Sequence, residues 1–220
     1  FITLAEETGC IHAIGEEVLW QACRAAARVG GSDGSGPFVA VNVSARQLDE
    51  SDFTALVQRV LRETALPAHR LELEVTENAL VHDFEAARER LTALRHLGVS
   101  VAMDDFGKGY SSLSTLSRLP FSRLKIDRAF VSGYGSSRQI TAIVDATLHL
   151  CRAMSLDVTA EGIETPHQAA ILQTRGVQAA QGFFFSRPVS GERLEEVVKR
   201  DWSARIREGT NPLIDKRRIA

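Results

Sequence analysis

The sequence predicts an α/β fold in which parallel strands, each followed by a helix, are arranged as in a barrel. Two patterns predict it. Short β-rich runs alternate along the chain with amphipathic helical stretches, and the runs end on polar side chains. A third observation sets the scale: 220 residues, 44% hydrophobic and 25% charged, suffice for one large core of this kind. The same values exclude a disordered tail, a collagen-like fibre and a small disulfide scaffold.

Taken in order, Leu19, Ala22, Cys23, Ala26 and Ala27 follow the i, i+3, i+4, i+7 spacing of a helix laid on a core. The stretch Gly30 to Gly36 then reads as a flexible connection to a first strand, Phe38 to Asn42. Phe53, Leu56, Val57, Val60 and Leu61 repeat the helical stripe, and Leu71 to Glu77 form the second strand. A helix from Phe84 to Leu97 leads into a strand from Val99 to Asp105. Arg123 to Asp127 is the fourth strand, followed by a helix from Ile140 to Met154 and a fifth strand from Asp157 to Glu161. A shorter helix covers Pro166 to Thr174. Val177 to Gln181 is the weakest strand, because alanine forms strands poorly, and a last helix spans Glu192 to Lys199. No fixed-period repeat is present.

Charge and cysteine narrow the function classes. With 26 basic against 28 acidic residues the net charge is −2, too small a field to hold a nucleic-acid polymer non-specifically. The three cysteines, Cys10, Cys23 and Cys151, form no CxxC pair, and Cys23 lies on an apolar stripe as a small hydrophobe would. A reducing, cytoplasmic setting is expected for the domain, and a membrane-anchored parent protein is compatible with it. The chain opens at Phe1, so a longer parent is expected.

The chemistry is suggested by where the polar residues fall. Asn42, Glu74, Asp104, Lys125, Glu161 and Gln181 each sit at or near the C-terminal end of a different run, and in a parallel barrel those ends share one face. A single such residue is commonly satisfied by a turn or a helix cap, whereas six in register point to a site. Crowded carboxylates need a compensating cation. Oxygen donors, with none of the 6 histidines at a strand end, favour Mg²⁺ or Mn²⁺ over zinc. The adjacent Asp104 and Asp105 would suit two metals about 3.5 to 4 Å apart, the arrangement used for in-line phosphoryl displacement. Phe106 to Leu113 is a glycine-punctuated loop able to move over a ligand. Lys125, between apolar neighbours, is placed to stabilise a phosphate oxygen, or alternatively to pair with a structural carboxylate such as Asp127. Enolate chemistry, with the lysine as base, also fits these residue types.

Several motifs in order resemble the signatures of the bacterial EAL-domain family. They are Val41-Asn42-Val43-Ser44, Glu74-Val75-Thr76-Glu77, Asp104-Asp105-Phe106-Gly107 with Gly109 to Leu113, Lys125-Ile126-Asp127-Arg128, Ala160 to Glu164, and Gln181-Gly182. The resemblance implies a modified TIM (β/α)8-type barrel, with six of its eight strands readable in this chain, over residues 1–203, and a C-terminal tail over 204–220. It also implies hydrolysis of cyclic di-GMP to linear pGpG with Mg²⁺ or Mn²⁺. By resemblance, Asn42, Glu74 and Asp104 hold a first metal, and Asp104, Asp105 and Glu161 border a second. Glu161 supports the attacking water, Lys125 polarises that water or the phosphate, and Glu77 anchors the loop containing Gly107, Ser111 and Ser112. Glu164 and Gln181 complete the ligand pocket.

The resemblance has two departures. The family usually carries threonine where Lys108 stands, in a loop associated with dimerisation. The Glu-Ala-Leu strand that names the family, and the strand before it, are expected upstream of Phe1, which makes the domain N-terminally truncated. A homodimer and GGDEF or sensory domains in the parent are compatible partners. The alternative to an enzyme is a degenerate domain that binds cyclic di-GMP as a receptor.

Overall fold

Leucine- and valine-rich runs become strands wherever both faces can be covered, and stretches with a single apolar stripe become the helices that cover them. The computed structural model describes residues 1–31, 34–80, 83–106 and 113–210. Packing divides the chain between Ser122 and Arg123 into two units.

The first unit opens with helices α1 (Ile2–Thr8) and α2 (Ile11–Arg28). Strand β1 (Val39–Val43) follows, then the short α3 (Ala45–Asp49) and α4 (Phe53–Thr64). A 3₁₀ turn, Ala68–Arg70, enters β2 (Leu71–Thr76), and a second, Glu77–Leu80, leaves it. Helix α5 (Phe84–His96), capped by the Asp83 carboxylate accepting from the Ala86 N–H at 3.0 Å, precedes β3 (Ser100–Phe106) and α6 (Leu113–Arg118). The three strands are parallel, β1 beside β2 and β2 beside β3, in the register Asn42 to Glu74 and Glu74 to Ala102. Leu19 and Cys23 of α2, Val57 of α4 and Leu91 of α5 are buried with Leu73 and Val101.

The glycine-rich connection after α2 has a second use besides flexibility. The buried Arg70 guanidinium donates to the Ala26 carbonyl at 2.7 Å and to the Pro37 carbonyl at 3.0 Å, tying the end of α2 to the approach of β1. A Cβ on Gly30 would stand 2.0 Å from Arg70 Nη1, so only glycine leaves room for this clasp.

The second unit starts with β4 (Arg123–Ile126), α7 (Arg128–Gly133) and α8 (Arg138–Ala153). Then come β5 (Asp157–Ala160), α9 (Pro166–Thr174) and β6 (Ala179–Ala180), only two residues long. The sixth strand is thus shorter than the expected Val177 to Gln181, as its alanine-rich composition makes reasonable. A 3₁₀ turn, Gly191–Arg193, and α10 (Leu194–Val198) occupy the last expected helix, and α11 (Trp202–Thr210) follows. Strands β4, β5 and β6 are parallel, with Lys125 opposite Thr159 and Thr159 opposite Ala179. Helix α11 runs through the boundary expected after residue 203, because Trp202 is held edge-on to Phe185 at 5.6 Å and beneath Arg205 at 5.0 Å. Residues 211–220 of the expected tail lie outside the described residues. Among the described residues no helix is long and apolar enough to cross a membrane.

The cysteines divide as the apolar pattern requires: Cys10 is exposed, and Cys23 and Cys151 are buried. Burial pushes both buried thiols up from an ordinary 9.0 to about 11. Below pH 9.0 both folded and unfolded chains hold these protons and the thiols cost nothing. As pH rises toward about 11 the unfolded chain releases protons that the folded chain keeps, so stability falls. Thermal melts should therefore decline more gently over that interval in Cys23→Val/Cys151→Val than in the wild type; parallel declines would assign the loss to other groups. A thiol reagent at neutral pH should label Cys10 at once and the other two only on unfolding.

Candidate active site

The first unit carries a face of oxygen donors. Paired residues in parallel strands project to the same side, so the register places Asn42, Glu74 and Ala102 on one face, and Asp104, two residues beyond Ala102, joins them. Asn42 is exposed while its neighbours Val41 and Val43 are buried on the other side. Glu74 is only 6% exposed. At Asp105 the regular alternation of β3 breaks, since its φ is 58° and its N–H donates to the Asp104 carboxylate at 2.8 Å. Aspartate tolerates this left-handed conformation better than most residues. The turn thus distinguishes the second aspartate from an ordinary outward-facing strand residue.

Among the described residues no three carboxylate, imidazole or thiol groups converge as a metal cage. The oxygen-bearing side chains that the register places on this face are those of Asn42, Glu74 and Asp104. Hard oxygens without imidazole or thiolate fit a divalent cation of the Mg²⁺ or Mn²⁺ type.

The second unit holds a polar network. Backbone hydrogen bonds carry the parallel ladder one step past the strands, from the Glu161 N–H to the Ile126 carbonyl at 3.0 Å and from the Gln181 N–H to the Ala160 carbonyl at 2.9 Å. Lys125, Glu161 and Gln181 therefore lie on one face. Lys125 Nζ is 2.7 Å from Glu161 Oε1, and Gln181 Nε2 donates to the same oxygen at 2.7 Å. The lysine is 3% exposed and the glutamate side chain 16%. The Asp127 carboxylate caps α7 by accepting from the Ala129 N–H at 2.8 Å.

Two glycines seat this network. A Cβ on Gly182 would stand 2.2 Å from the Ile163 carbonyl oxygen, so the Gln181 turn presses directly on the backbone following Glu161. The Ile163 N–H donates to the Gln181 carbonyl at 3.0 Å across that contact. Gly162 has φ of 67° and lies under the Arg128 side chain, a conformation and a space that both favour glycine. Arg128 in turn forms an ion pair with the exposed Glu164. Arg128 was not expected to act; its place at the start of the helix after Lys125-Ile126-Asp127 is the signal that could have found it.

The expected loop residues Gly107, Ser111 and Ser112, with Lys108, lie outside the described residues. Glu77 begins the 3₁₀ turn that follows β2. Gln47, which the sequence reading passed over, closes a capping box with Ser44 directly after β1. The Ser-x-x-Gln spacing announces such a box.

These strand ends define an α/β domain of the EAL class. The EAL domain family model matches residues 1–188, and the chain belongs to that family. It is 40% identical over 199 residues to the cyclic di-GMP phosphodiesterase NbdA of Pseudomonas aeruginosa, covering 90% of this chain and 25% of that protein. Among solved structures it is similar to the PaMucR phosphodiesterase in complex with c-di-GMP, with 41% identity and a TM-score of 0.79 over 88% of this chain and 78% of that one. It is also similar to the manganese and cyclic di-GMP complex of BlrP1 from Klebsiella pneumoniae, with 31% identity and a TM-score of 0.71 over 80% and 45% of the two chains. The chain spans about a quarter of the length of the first curated relatives it matches. The TIM-barrel-like α/β fold class expected from the sequence is that of these structures.

Removing Lys125 alone should leave the largely buried Glu161 carboxylate without the ammonium that stands 2.7 Å from it. We expect Lys125→Met to cost about 3 kcal/mol and Lys125→Met/Glu161→Gln to cost clearly less, measured by denaturant unfolding. Additive losses would show that the pair is not coupled.

Proposed function

We propose that this chain is a phosphodiesterase domain that opens cyclic di-GMP to linear pGpG. The observation that carries the reading is the buried ammonium of Lys125 held on Glu161 together with Gln181, on a chain that belongs to the EAL family. An entirely structural ion pair would need neither the amide on the same carboxylate oxygen nor its placement at three successive strand ends. The c-di-GMP complexes of PaMucR and BlrP1 support the same ligand for this chain.

Hydrolysis requires water to attack phosphorus in line with the leaving O3′, forming one P–O bond as another breaks and leaving a 5′-phosphate and a 3′-hydroxyl. Glu161 accepts the proton of the attacking water. Donation to its Oε1 from Lys125 and Gln181 fixes the carboxylate in place, so little reorganisation is needed as charge develops. Lys125 keeps a positive charge in a poorly solvated place, where it stabilises negative charge gathering on the phosphate more than it would in water.

The oxygen donors assigned to Mg²⁺ or Mn²⁺ are Asn42, Glu74, Asp104 and Asp105 in the first unit, and Glu161 carries the corresponding assignment in the second. A bound divalent cation supplies Lewis-acid polarisation of the phosphate and eases deprotonation of water. Glu164, held by Arg128, and Gln181 are assigned to the ligand pocket, and Glu77, Gly107, Ser111 and Ser112 to the loop beside it. A homodimer and further GGDEF or sensory domains in the intact protein are compatible with this activity.

In the intact protein, Glu161→Gln should lower turnover by about 10²-fold or more while cyclic di-GMP binding changes only a few-fold, because the base is needed in the transition state. Chromatographic detection of pGpG and calorimetric binding separate the two effects. Equal loss of both would make Glu161 a binding or structural residue. Wild-type binding without turnover under Mg²⁺ and Mn²⁺ would establish the receptor reading. Asp104→Asn should weaken Mn²⁺ binding; unchanged affinity would remove Asp104 from the donor set.

A further inference from the structure

A buried amide lies five residues after Asn42 in the chain. Gln47, in α3, is 7% exposed. Its side-chain oxygen accepts from the Ser44 N–H at 3.2 Å and from the Ser44 hydroxyl at 3.1 Å, while the Gln47 N–H donates to Ser44 Oγ at 3.3 Å. The box is therefore closed on the residue two positions after Asn42. Capping boxes at a free helix end stand in solvent and serve that helix alone. This one is pressed against α2. A Cβ on Gly15 would come within 1.7 Å of Gln47 Nε2 and 2.4 Å of its Cδ. The absence of a side chain at Gly15 is what admits the amide.

The connection has no slack. Only Ser44 separates β1 from α3, so the backbone of Asn42 is held on one side by pairing with β2 and on the other by the box. Movement of the Gln47 amide must pass through Ser44 and Val43 to Asn42. The amide oxygen is spent on Ser44, and Gln47 also borders a groove of about 380 Å³ that touches His12, Glu16, Glu50 and Arg59.

We propose that Gln47, seated in the gap left by Gly15, is a positioning residue that sets the Asn42 amide for binding a divalent cation. The inference rests on the reading of Asn42 as a cation ligand. Outer partners that orient ligands are worth about 10- to 100-fold in metal affinity when removed. Gln47→Met keeps the side chain's length and loses the acceptor for Ser44. Gly15→Ala keeps Gln47 and fills its seat. Gln47→Glu keeps the acceptor.

The test is calorimetric titration of the intact protein with Mn²⁺, accompanied by thermal melts. Affinity should fall about 10-fold in Gln47→Met and in Gly15→Ala, and should stay within about 3-fold of wild type in Gln47→Glu. Val57→Ala, a cavity in the α4 core that leaves Ser44, Gln47 and Gly15 as they are, supplies a variant of lowered stability and should leave affinity unchanged. Wild-type affinity in both Gln47→Met and Gly15→Ala, with Asn42→Ala weakened, would overturn the positioning role and spare the ligand assignment. Unchanged affinity in Asn42→Ala would overturn the ligand assignment itself. A loss in Val57→Ala matching that in Gln47→Met would overturn the proposal by showing that affinity follows stability alone.

Discussion

An ammonium group that is almost wholly buried must be given a negative partner, and that requirement organises the second unit. Lys125 meets it with Glu161, and Glu161 is brought within reach because the β5 ladder continues past Ala160 on the Ile126 carbonyl. The next strand repeats the device at Gln181. Desolvation makes the pair strongly coupled, since either charge alone would be far more costly than the two together. The close backbone approach at Gly182 and the left-handed turn at Gly162 are the conformational conditions for keeping the three groups on one face.

The first unit solves a different problem with the same geometry. Its parallel strands project Asn42, Glu74 and Asp104 to one side, where a carboxylate such as Glu74 is largely removed from water. The alternation of β1 leaves Val41 and Val43 to the helices and Asn42 to the opposite face. Apolar packing and polar chemistry are thus separated by the two-residue period of the strand. The connections that hold this arrangement are short, polar and specific: the Arg70 clasp where the chain enters β1, and the Ser44–Gln47 box where it leaves. Both depend on a glycine in α2 or just after it for space.

Much of this was legible in the linear chain because periodicity and strand-end polarity are local properties. The helices over Phe53–Thr64, Phe84–His96, Arg138–Ala153 and Pro166–Thr174 lie within a few residues of the expected spans. The strands with Asn42, Glu74, Asp104, Lys125 and Glu161 at or near their C-terminal ends were announced by β-rich runs meeting a polar residue. Shorter helices, such as Ala45–Asp49 and Arg128–Gly133, escaped because five or six residues show barely more than one turn of a hydrophobic stripe, although their caps were written in Ser44 and Asp127. The helix at Trp202 lies across the expected start of the tail, and its tryptophan packs edge-on against Phe185.

By itself, then, the sequence determined the α/β class, the order of the elements and which side chains stand at the strand ends, since each follows from the spacing of residues along one chain. Tertiary structure alone decided which of those side chains meet. Lys125 meets Glu161, 36 residues distant in the chain, because parallel pairing makes distant strand ends neighbours, while the Asp127 carboxylate caps α7 through the Ala129 N–H. Likewise no local pattern links Gly15 to Gln47 or Gly30 to Arg70: the need for a missing Cβ exists only once a second segment is packed against the first, because steric exclusion acts between atoms in space and has no reference to their order in sequence.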